Sequence, residues 1–162
     1  MTDRPDVDPD QYAAAGREIR TALQGVHDEI EASELVCHQL DERFDHYSWV
    51  GIYVVEGDEL ILSAWSGPEE TEHTTIAVGE GICGLAAKTG QTEVVPDVTE
   101  RPEFIACFPS TRSEIVVPIH GPDGTVLGEI DIDSDWLDAF DQRDKELLEA
   151  IAADLSEVMA AS

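Results

Sequence analysis

The stretch Thr125–Ser134, TVLGEIDIDS, limits the fold more than any other part of the chain because it alternates strictly. One set of alternate positions is apolar or glycine: Val126, Gly128, Ile130 and Ile132. The other set carries Glu129, Asp131 and Asp133. This period of two predicts a β-strand with one face on an apolar core. Three neighbouring carboxylates repel, so their face must be solvated, bind a cation or share protons. An exposed acidic face is the simplest alternative.

A second strand is predicted over Tyr47–Val55, YSWVGIYVV. It places Val50, Ile52 and Val54 on one face and Trp49, Gly51 and Tyr53 on the other. The aromatic face fits one wall of a pocket, or equally a second core layer. Further strands are predicted over Leu60–Trp65, Ile76–Val78, Thr92–Val95 and Ser113–Ile119, with a hairpin turn at 121–124.

Helices are predicted at both ends of the chain. Asp8 as N-cap, Pro9 and Gln11 start a helix that runs to about Gln24. A second helix covers about His27–Phe44, with an apolar stripe at Ile30, Val36, Leu40 and Phe44. A short helix follows at about Cys83–Lys88, and Asp141 caps a last helix over about Gln142–Ala160. The whole chain, 1–162, is one α+β domain in which residues 1 to about 7 form a solvated tail.

The formal net charge is −27, from 36 acidic against 9 basic residues. This field repels phosphate backbones and anionic lipid heads, so we expect no nucleic-acid partner and no membrane surface. Acids spread over the whole chain indicate a halophilic protein, the alternative being an acidic mesophilic one. Because the chain shows neither a membrane-length apolar run nor a secretory signal, the expected location is cytoplasmic.

The three cysteines, Cys37, Cys83 and Cys107, lack the close spacing of a zinc knuckle, and we expect no metal site. Cys37 lies beside the apolar stripe of its helix and is interpreted as packing. Cys83 falls in the first helical turn, where the helix dipole lowers the pKa of a thiol. Cys107 lies in a loop just before the strand that carries Glu114. A thiol beside an acid can do chemistry, although a buried free cysteine is the simpler interpretation.

The chain resembles GAF domains, and more specifically the free methionine-(R)-sulfoxide reductases. The resemblance covers roughly Ile30 to Met159. It rests on WVGIYVV (49–55), GEGICGLAAKTGQTEVVPDV (79–98), IAC (105–107), SEIVVPI (113–119), DIDS (131–134) and the acidic helix start FDQRD. It implies an antiparallel sheet with N- and C-terminal helices on one face and a ligand pocket on the other.

The resemblance also implies an activity, the reduction of free methionine-(R)-sulfoxide by a cycle of thiol, sulfenic acid and disulfide. Cys107 matches the cysteine that attacks the sulfoxide sulfur, and Cys83 matches a second redox cysteine. The expected substrate pocket consists of Trp49, Tyr53, Glu114, Asp131 and Asp133, whose three carboxylates also supply the catalytic acid. No tightly bound cofactor is implied. An external thiol reductant, a thioredoxin-like protein or a small thiol, completes the cycle, and a homodimer is among the expected assemblies.

Two positions depart from the family pattern. His73 stands where a third cysteine is usual, which bears on how the sulfenic acid is resolved. Glu129 replaces an aliphatic residue. The alternative function is a small-molecule sensor or binding module that keeps the GAF pocket but does not turn over.

Overall fold

The computed structural model describes residues 4–104 and 108–161. In this part of the chain one antiparallel sheet has the strand order β3-β2-β1-β6-β5-β4. The strands are β1 (Trp49–Glu56), β2 (Glu59–Ser66), β3 (Thr75–Ala77), β4 (Glu93–Val95), β5 (Ser113–His120) and β6 (Val126–Ser134). The helices are α1 (Pro9–Leu23), α2 (Glu29–Arg43), α3 (Gly81–Thr89) and α4 (Gln142–Ala161), with a 3-10 turn at Val98–Glu100. The predicted α+β class is confirmed.

The long terminal helices begin where their capping residues predict. At α1 the Asp8 carboxylate accepts the Asp10 amide at 2.9 Å, and the Gln11 side chain accepts the Asp8 amide at 3.0 Å. At α4 the Asp141 carboxylate accepts the Arg143 amide at 2.9 Å. Each cap satisfies amide groups that have no partner within the helix, so both starts are set by local sequence.

The sheet carries a different core on each face. Val50, Ile52, Ile130 and Ile132 pack with α1, α2 and α4 in the larger core. The opposite face of β1 and β5 packs with α3 in a smaller core of Trp49, Tyr53, Ile82, Ala86, Val116 and neighbours. The alternation predicted for β1 is therefore confirmed. β6 lies between β1 and β5, so its acidic face is enclosed within the second layer.

The predicted apolar stripe of α2 is wrong at one position. Ile30 is 54% exposed, whereas Val36, Leu40 and Phe44 are buried as expected. Ala32 occupies the place on the buried face that lies one turn before Val36. Cys37 is fully buried beside the stripe, which confirms its packing role.

The segment predicted as a solvated tail is anchored at Arg4. Its guanidinium donates to the Ala139 carbonyl oxygen at 2.7 Å and to the Asp144 carboxylate at 2.8 Å. Its side chain is 15% exposed. Charge-assisted hydrogen bonds of this kind offset the conformational entropy that the segment loses. No periodicity in the sequence indicates such a contact across 140 residues.

Asp144 is a fully buried carboxylate at the centre of this contact. Its Oδ1 accepts hydrogen bonds from the hydroxyl groups of Tyr47 at 2.8 Å and Tyr12 at 3.0 Å, and lies 2.7 Å from His46 Nε2. Burial alone raises the pKa of Asp144, but hydrogen bonds from His46 and Tyr47 to the charged form lower it overall.

Among the described helices, none is both long and apolar enough to cross a bilayer.

Candidate active site

Four carboxylates lie on the sheet face that packs against α3. Glu129, Asp131 and Asp133 alternate along β6, and Glu114 on β5 is paired directly with Asp133. Their exposed fractions are 0%, 1%, 2% and 4%. The alternative of an exposed acidic face is therefore wrong. The structure brings three of the predicted site residues, Glu114, Asp131 and Asp133, onto adjacent strands.

Burial raises the pKa of each of these carboxyl groups. For Glu114 the charges of Asp131 and Asp133 raise it further, and for Asp133 the charge of Asp131 does so. Burial also raises the pKa of Asp131, although hydrogen bonds with Glu114 and Cys83 oppose the shift. Three neighbouring carboxylates in a low dielectric disfavour full ionisation, so Glu114, Asp131 and Asp133 keep a proton to higher pH than isolated carboxyl groups do. One of the three is consequently able to act as a general acid.

Part of the cluster has no hydrogen-bond partner among the described residues. Thr111 donates to Asp133 Oδ2 at 3.4 Å, but Asp133 Oδ1 and Asp131 Oδ1 are buried without partners. The indole Nε1 of Trp49 is also buried and unpaired. Buried polar atoms without partners are uncommon in folded proteins. Two acceptors and one donor are thus available to a ligand.

Cys83 lies in the first turn of α3 and is 6% exposed. The prediction that the helix dipole lowers the pKa of this thiol is wrong. Burial raises it, followed by the charges of Asp131, Glu129 and Glu114. A helix terminus supplies only about 0.3–1 kcal/mol, which does not offset desolvation beside several carboxylates. Cys83 is therefore a protonated thiol that needs a proton acceptor before it can react.

Trp49 is held in place by two glycines that leave room for its indole. A Cβ atom added at Gly51 would lie 2.3 Å from Trp49 Cη2, and one at Gly67 would lie 2.6 Å from Trp49 Cδ1. Trp65 stacks on the indole at 6.4 Å between ring centroids, and Phe108 packs against it at 5.8 Å. The side chain is 1% exposed, so its orientation is fixed before any ligand arrives.

Tyr53 and His73 are joined by a hydrogen bond. The Tyr53 hydroxyl donates to the His73 carbonyl oxygen at 2.7 Å, which ties the loop between β2 and β3 to the aromatic face of β1. Because a backbone atom accepts the bond, this contact does not depend on the side chain at position 73. Tyr53 is completely buried.

A cavity of about 350 Å³ opens beside Trp49 and Asp133. Its wall also includes Tyr47, Phe108 and Thr111. Aromatic walls with a few buried polar groups are typical of small-molecule sites. A larger cavity of about 580 Å³ lies between β5 and α4, and none of the predicted site residues that the structure describes lines it. We assign the candidate site to the smaller cavity because it contains the unpaired acceptor Asp133.

Glu129 is the fourth buried acid of the face. Both of its carboxylate oxygens lack hydrogen-bond partners in the described structure. Burial raises its pKa and the charge of Asp131 raises it further, while the nearby Cys83 thiol acts in the opposite direction. In the strand register Glu129 is paired with Tyr53 on β1 and with Pro118 on β5. The position expected to hold an aliphatic side chain is therefore still a packed interior position.

Cys107, the expected nucleophile, lies outside the described residues. The chain is described again from Phe108, whose ring contacts Trp49. The remaining predicted site residues, Cys83, Trp49, Tyr53, Glu114, Asp131 and Asp133, all lie on one side of the sheet.

The fold agrees with the comparisons. A GAF-domain family model matches residues 26–160. The free methionine-R-sulfoxide reductase of Saccharomyces cerevisiae is 44% identical over 124 residues, which is 75% of this chain and 68% of that protein. The chain belongs to the free methionine-R-sulfoxide reductase family of GAF domains.

Solved structures of the reductase family are similar over nearly the whole chain. The enzyme from Neisseria meningitidis, solved in complex with its substrate, has a TM-score of 0.89 at 34% identity. The match covers 100% of this chain and 96% of that one. The type II enzyme from Thermoplasma acidophilum has a TM-score of 0.75 at 37% identity, and the match covers 90% and 94% of the two chains. The expected GAF fold is confirmed.

Some residues that shape the site were not predicted from the sequence. Thr111 donates to Asp133, Phe108 packs on Trp49, and Gly67 makes room for the indole. Phe108 and Thr111 lie shortly before β5, and Gly67 directly follows β2. No periodic signal marks loop positions. A glycine two residues after Trp65 is nevertheless a recognisable site of close approach.

Proposed function

We propose that the protein reduces free L-methionine-(R)-sulfoxide to methionine with its own cysteine thiols. The observation that carries this proposal is the buried carboxylate cluster between Trp49 and Cys83, in a chain of the reductase family. A free amino acid brings an ammonium group that Asp131 and Asp133 can bind through their unpaired oxygens. A methionine sulfoxide residue inside a polypeptide lacks that group, so we expect selection for the free amino acid.

The reductive step uses Cys107 as nucleophile. Its sulfur attacks the sulfoxide sulfur while a protonated carboxyl group of the cluster donates a proton to the sulfoxide oxygen. The protonated oxygen then passes to the Cys107 sulfur while the bonds from the substrate sulfur to that oxygen and to Cys107 break, so methionine leaves as the thioether and Cys107 becomes a sulfenic acid. The proton lost by the Cys107 thiol returns to the carboxylate that acted as the acid. Trp49 walls the site and, with its buried Nε1, supplies a hydrogen-bond donor for an oxygen of the substrate.

Recycling uses Cys83 as the second thiol. Its sulfur displaces the hydroxyl of the sulfenic acid, and water leaves with the proton of the Cys83 thiol. The product is a Cys83–Cys107 disulfide. Asp131 is the proton acceptor in this step because a carboxylate oxygen of Asp131 lies within 4.8 Å of the Cys83 sulfur. His73 provides no thiol in this scheme. An external thiol, from a thioredoxin-like protein or a small molecule, then reduces the disulfide.

A cytoplasmic location and a homodimer complete the proposal. A cycle that ends in a disulfide requires a compartment that keeps thiols reduced. Two large apolar side chains, Ile30 and Trp65, are exposed, and a second copy of the chain is a partner that would cover them. Light scattering of the purified protein tests the dimer.

The experiment that tests the activity follows each epimer of free methionine sulfoxide by chiral chromatography with a dithiol reductant. We expect loss of the R epimer alone, and no reduction of sulfoxide in an oxidised protein substrate. Binding of the R epimer without turnover would instead support the sensor function.

A further inference from the structure

One sulfur and two carboxylates meet in the wall of a second, much smaller cavity under α3. Cys83 comes from α3, Glu114 from β5 and Asp131 from β6. The Cys83 Sγ atom and one oxygen of each carboxylate all lie within 4.8 Å of one another. All three side chains are buried. Because each comes from a different element, no sequence spacing marks the group.

We propose that Cys83, Glu114 and Asp131 bind a thiophilic divalent cation of the zinc class. Zinc takes sulfur at about 2.3 Å and carboxylate oxygen at about 2.0–2.2 Å in a tetrahedron. Ligand atoms around such an ion lie roughly 3.5 Å apart. The three atoms are therefore at most about 1.3 Å too far apart, a gap that changes of side-chain rotamer can close. Water would take the fourth position, as at open zinc sites.

A second observation points to a ligand at this place. Asp131 Oδ1 is buried and has no hydrogen-bond partner among the described residues. Cys83, Glu114 and Asp131 line a cavity that is separate from the 350 Å³ cavity and that also includes Glu80. None of the described residues that line it is lysine, arginine or histidine. No described lining residue supplies a positive charge, so a cation can bind by displacing the protons that these three groups hold.

The donor set selects the kind of metal. A thiolate is a soft ligand that favours zinc, cadmium or copper(I) over magnesium or calcium. Magnesium and calcium also need six or more oxygen ligands, and this group offers two carboxylates. We therefore expect zinc and cadmium to bind and magnesium to leave the site unaffected.

The consequence for activity rests on the proposed function. A metal held here would occupy Glu114 and Asp131, which the substrate needs, and would hold the Cys83 sulfur away from the sulfenic acid. Zinc would act as a reversible inhibitor that competes with the substrate. Metal binding itself needs no turnover, so its measurement remains valid if the proposed activity fails.

The test titrates cadmium into reduced, metal-free protein under anaerobic conditions in a nitrate salt, since chloride competes for cadmium. The readout is the ultraviolet charge-transfer absorbance of a cadmium–thiolate bond. We expect saturation at one equivalent and no signal from Cys83→Ser. Asp131→Asn and Glu114→Gln should each weaken cadmium binding more than about tenfold. Loss of a residue that only supports a ligand already costs about that much, and these two residues are proposed as ligands themselves. Cys37→Ala, which removes a buried thiol from the other face of the sheet, should behave as wild type.

Several results would overturn the proposal. The cadmium–thiolate absorbance would persist in Cys83→Ser, or it would be unchanged in Asp131→Asn. Absorbance that is lost in Cys107→Ser but kept in Cys83→Ser would place the metal on the other cysteine. Circular dichroism checks that each variant folds. If Cys83→Ser does not fold, alkylation of Cys83 in the wild-type protein replaces it: cadmium should slow the reaction, and equal rates with and without cadmium would refute the site.

Discussion

Glu114 and Asp133 lie directly opposite each other on the antiparallel pair β5–β6, and both side chains are buried. Residues in this relation have Cβ atoms about 4.5–5.5 Å apart. Two buried carboxylates at that separation share a proton more readily than they both ionise. This pair is the structural basis for a general acid in the pocket.

The pair predicts which acids matter for catalysis. Glu114→Gln and Asp133→Asn should each lower kcat/KM at least about 100-fold, the lower range for loss of a general acid. Glu129 departs from the family pattern, so Glu129→Gln should lower kcat/KM less than about tenfold. Steady-state kinetics of the three variants provide the comparison. Equal losses in all three would show that bulk acidity, rather than a specific site, supports activity.

Glu129 should also make stability depend on pH. Its folded pKa is raised by burial above the ordinary value of 4.5, so the unfolded state loses its proton first. The folded state then binds more protons than the unfolded state, and stability falls as pH rises above about 4.5. Glu129→Gln should make this fall shallower in urea titrations over a pH series. Glu100→Gln, at an exposed position, is the control and should leave the slope unchanged.

Asp144 predicts a loss of stability upon substitution. Asp144→Asn removes the charge that Arg4 faces and disrupts the bonds from Tyr12 and Tyr47. The free energy of unfolding should fall by about 3 kcal/mol, the lower range for breaking a buried pair. Denaturant unfolding measures it. Asp154→Asn, whose partner Arg20 is 69% exposed, should cost no more than about 1 kcal/mol. Similar losses in both variants would contradict this account.

The net charge of −27 predicts a response to salt. Counter-ions screen the mutual repulsion of the acidic surface, so the melting temperature should rise from low to molar potassium chloride. A melting temperature that stays flat or falls over that range would count against halophilic adaptation. A sulfate salt at matched ionic strength separates screening from an effect of chloride.

Local sequence determines much of this fold. The caps at Asp8 and Asp141 and the alternation of β1 and β6 depend on residues close in the chain, so they were predictable. Ile30 and Arg4 were not, because their environments are set by α2 packing and by a contact with α4. The spacing of apolar residues predicts the buried face of a helix only approximately, as Ile30 shows. A single arginine such as Arg4 forms no repeating pattern, so its contact could not be predicted in this way.

The residues of the site were easier to predict from the sequence than their burial and their pKa values. The carboxylates of β6 were identified by alternation, yet whether their face is wet or buried depends on α3 packing over it. The pKa of Cys83 was predicted in the wrong direction for the same reason. The helix start is a local feature, whereas the carboxylates that oppose it come from β5 and β6.

In the proposed cycle, Cys107 reduces the substrate and Cys83 resolves the sulfenic acid. The most direct measurement treats reduced protein with one equivalent of methionine-(R)-sulfoxide without added thiol. Methionine is then quantified and the peptides are mapped by mass spectrometry. Cys107→Ser should abolish methionine formation, whereas Cys83→Ser should still form one methionine per protein and block only the disulfide.

We predict one methionine per wild-type protein and a linked peptide that joins Cys83 to Cys107. A sulfenic acid that persists on Cys107 while Cys83 stays free would contradict the resolving step and indicate an external thiol. Methionine formed by Cys107→Ser at the wild-type yield would contradict the account as a whole.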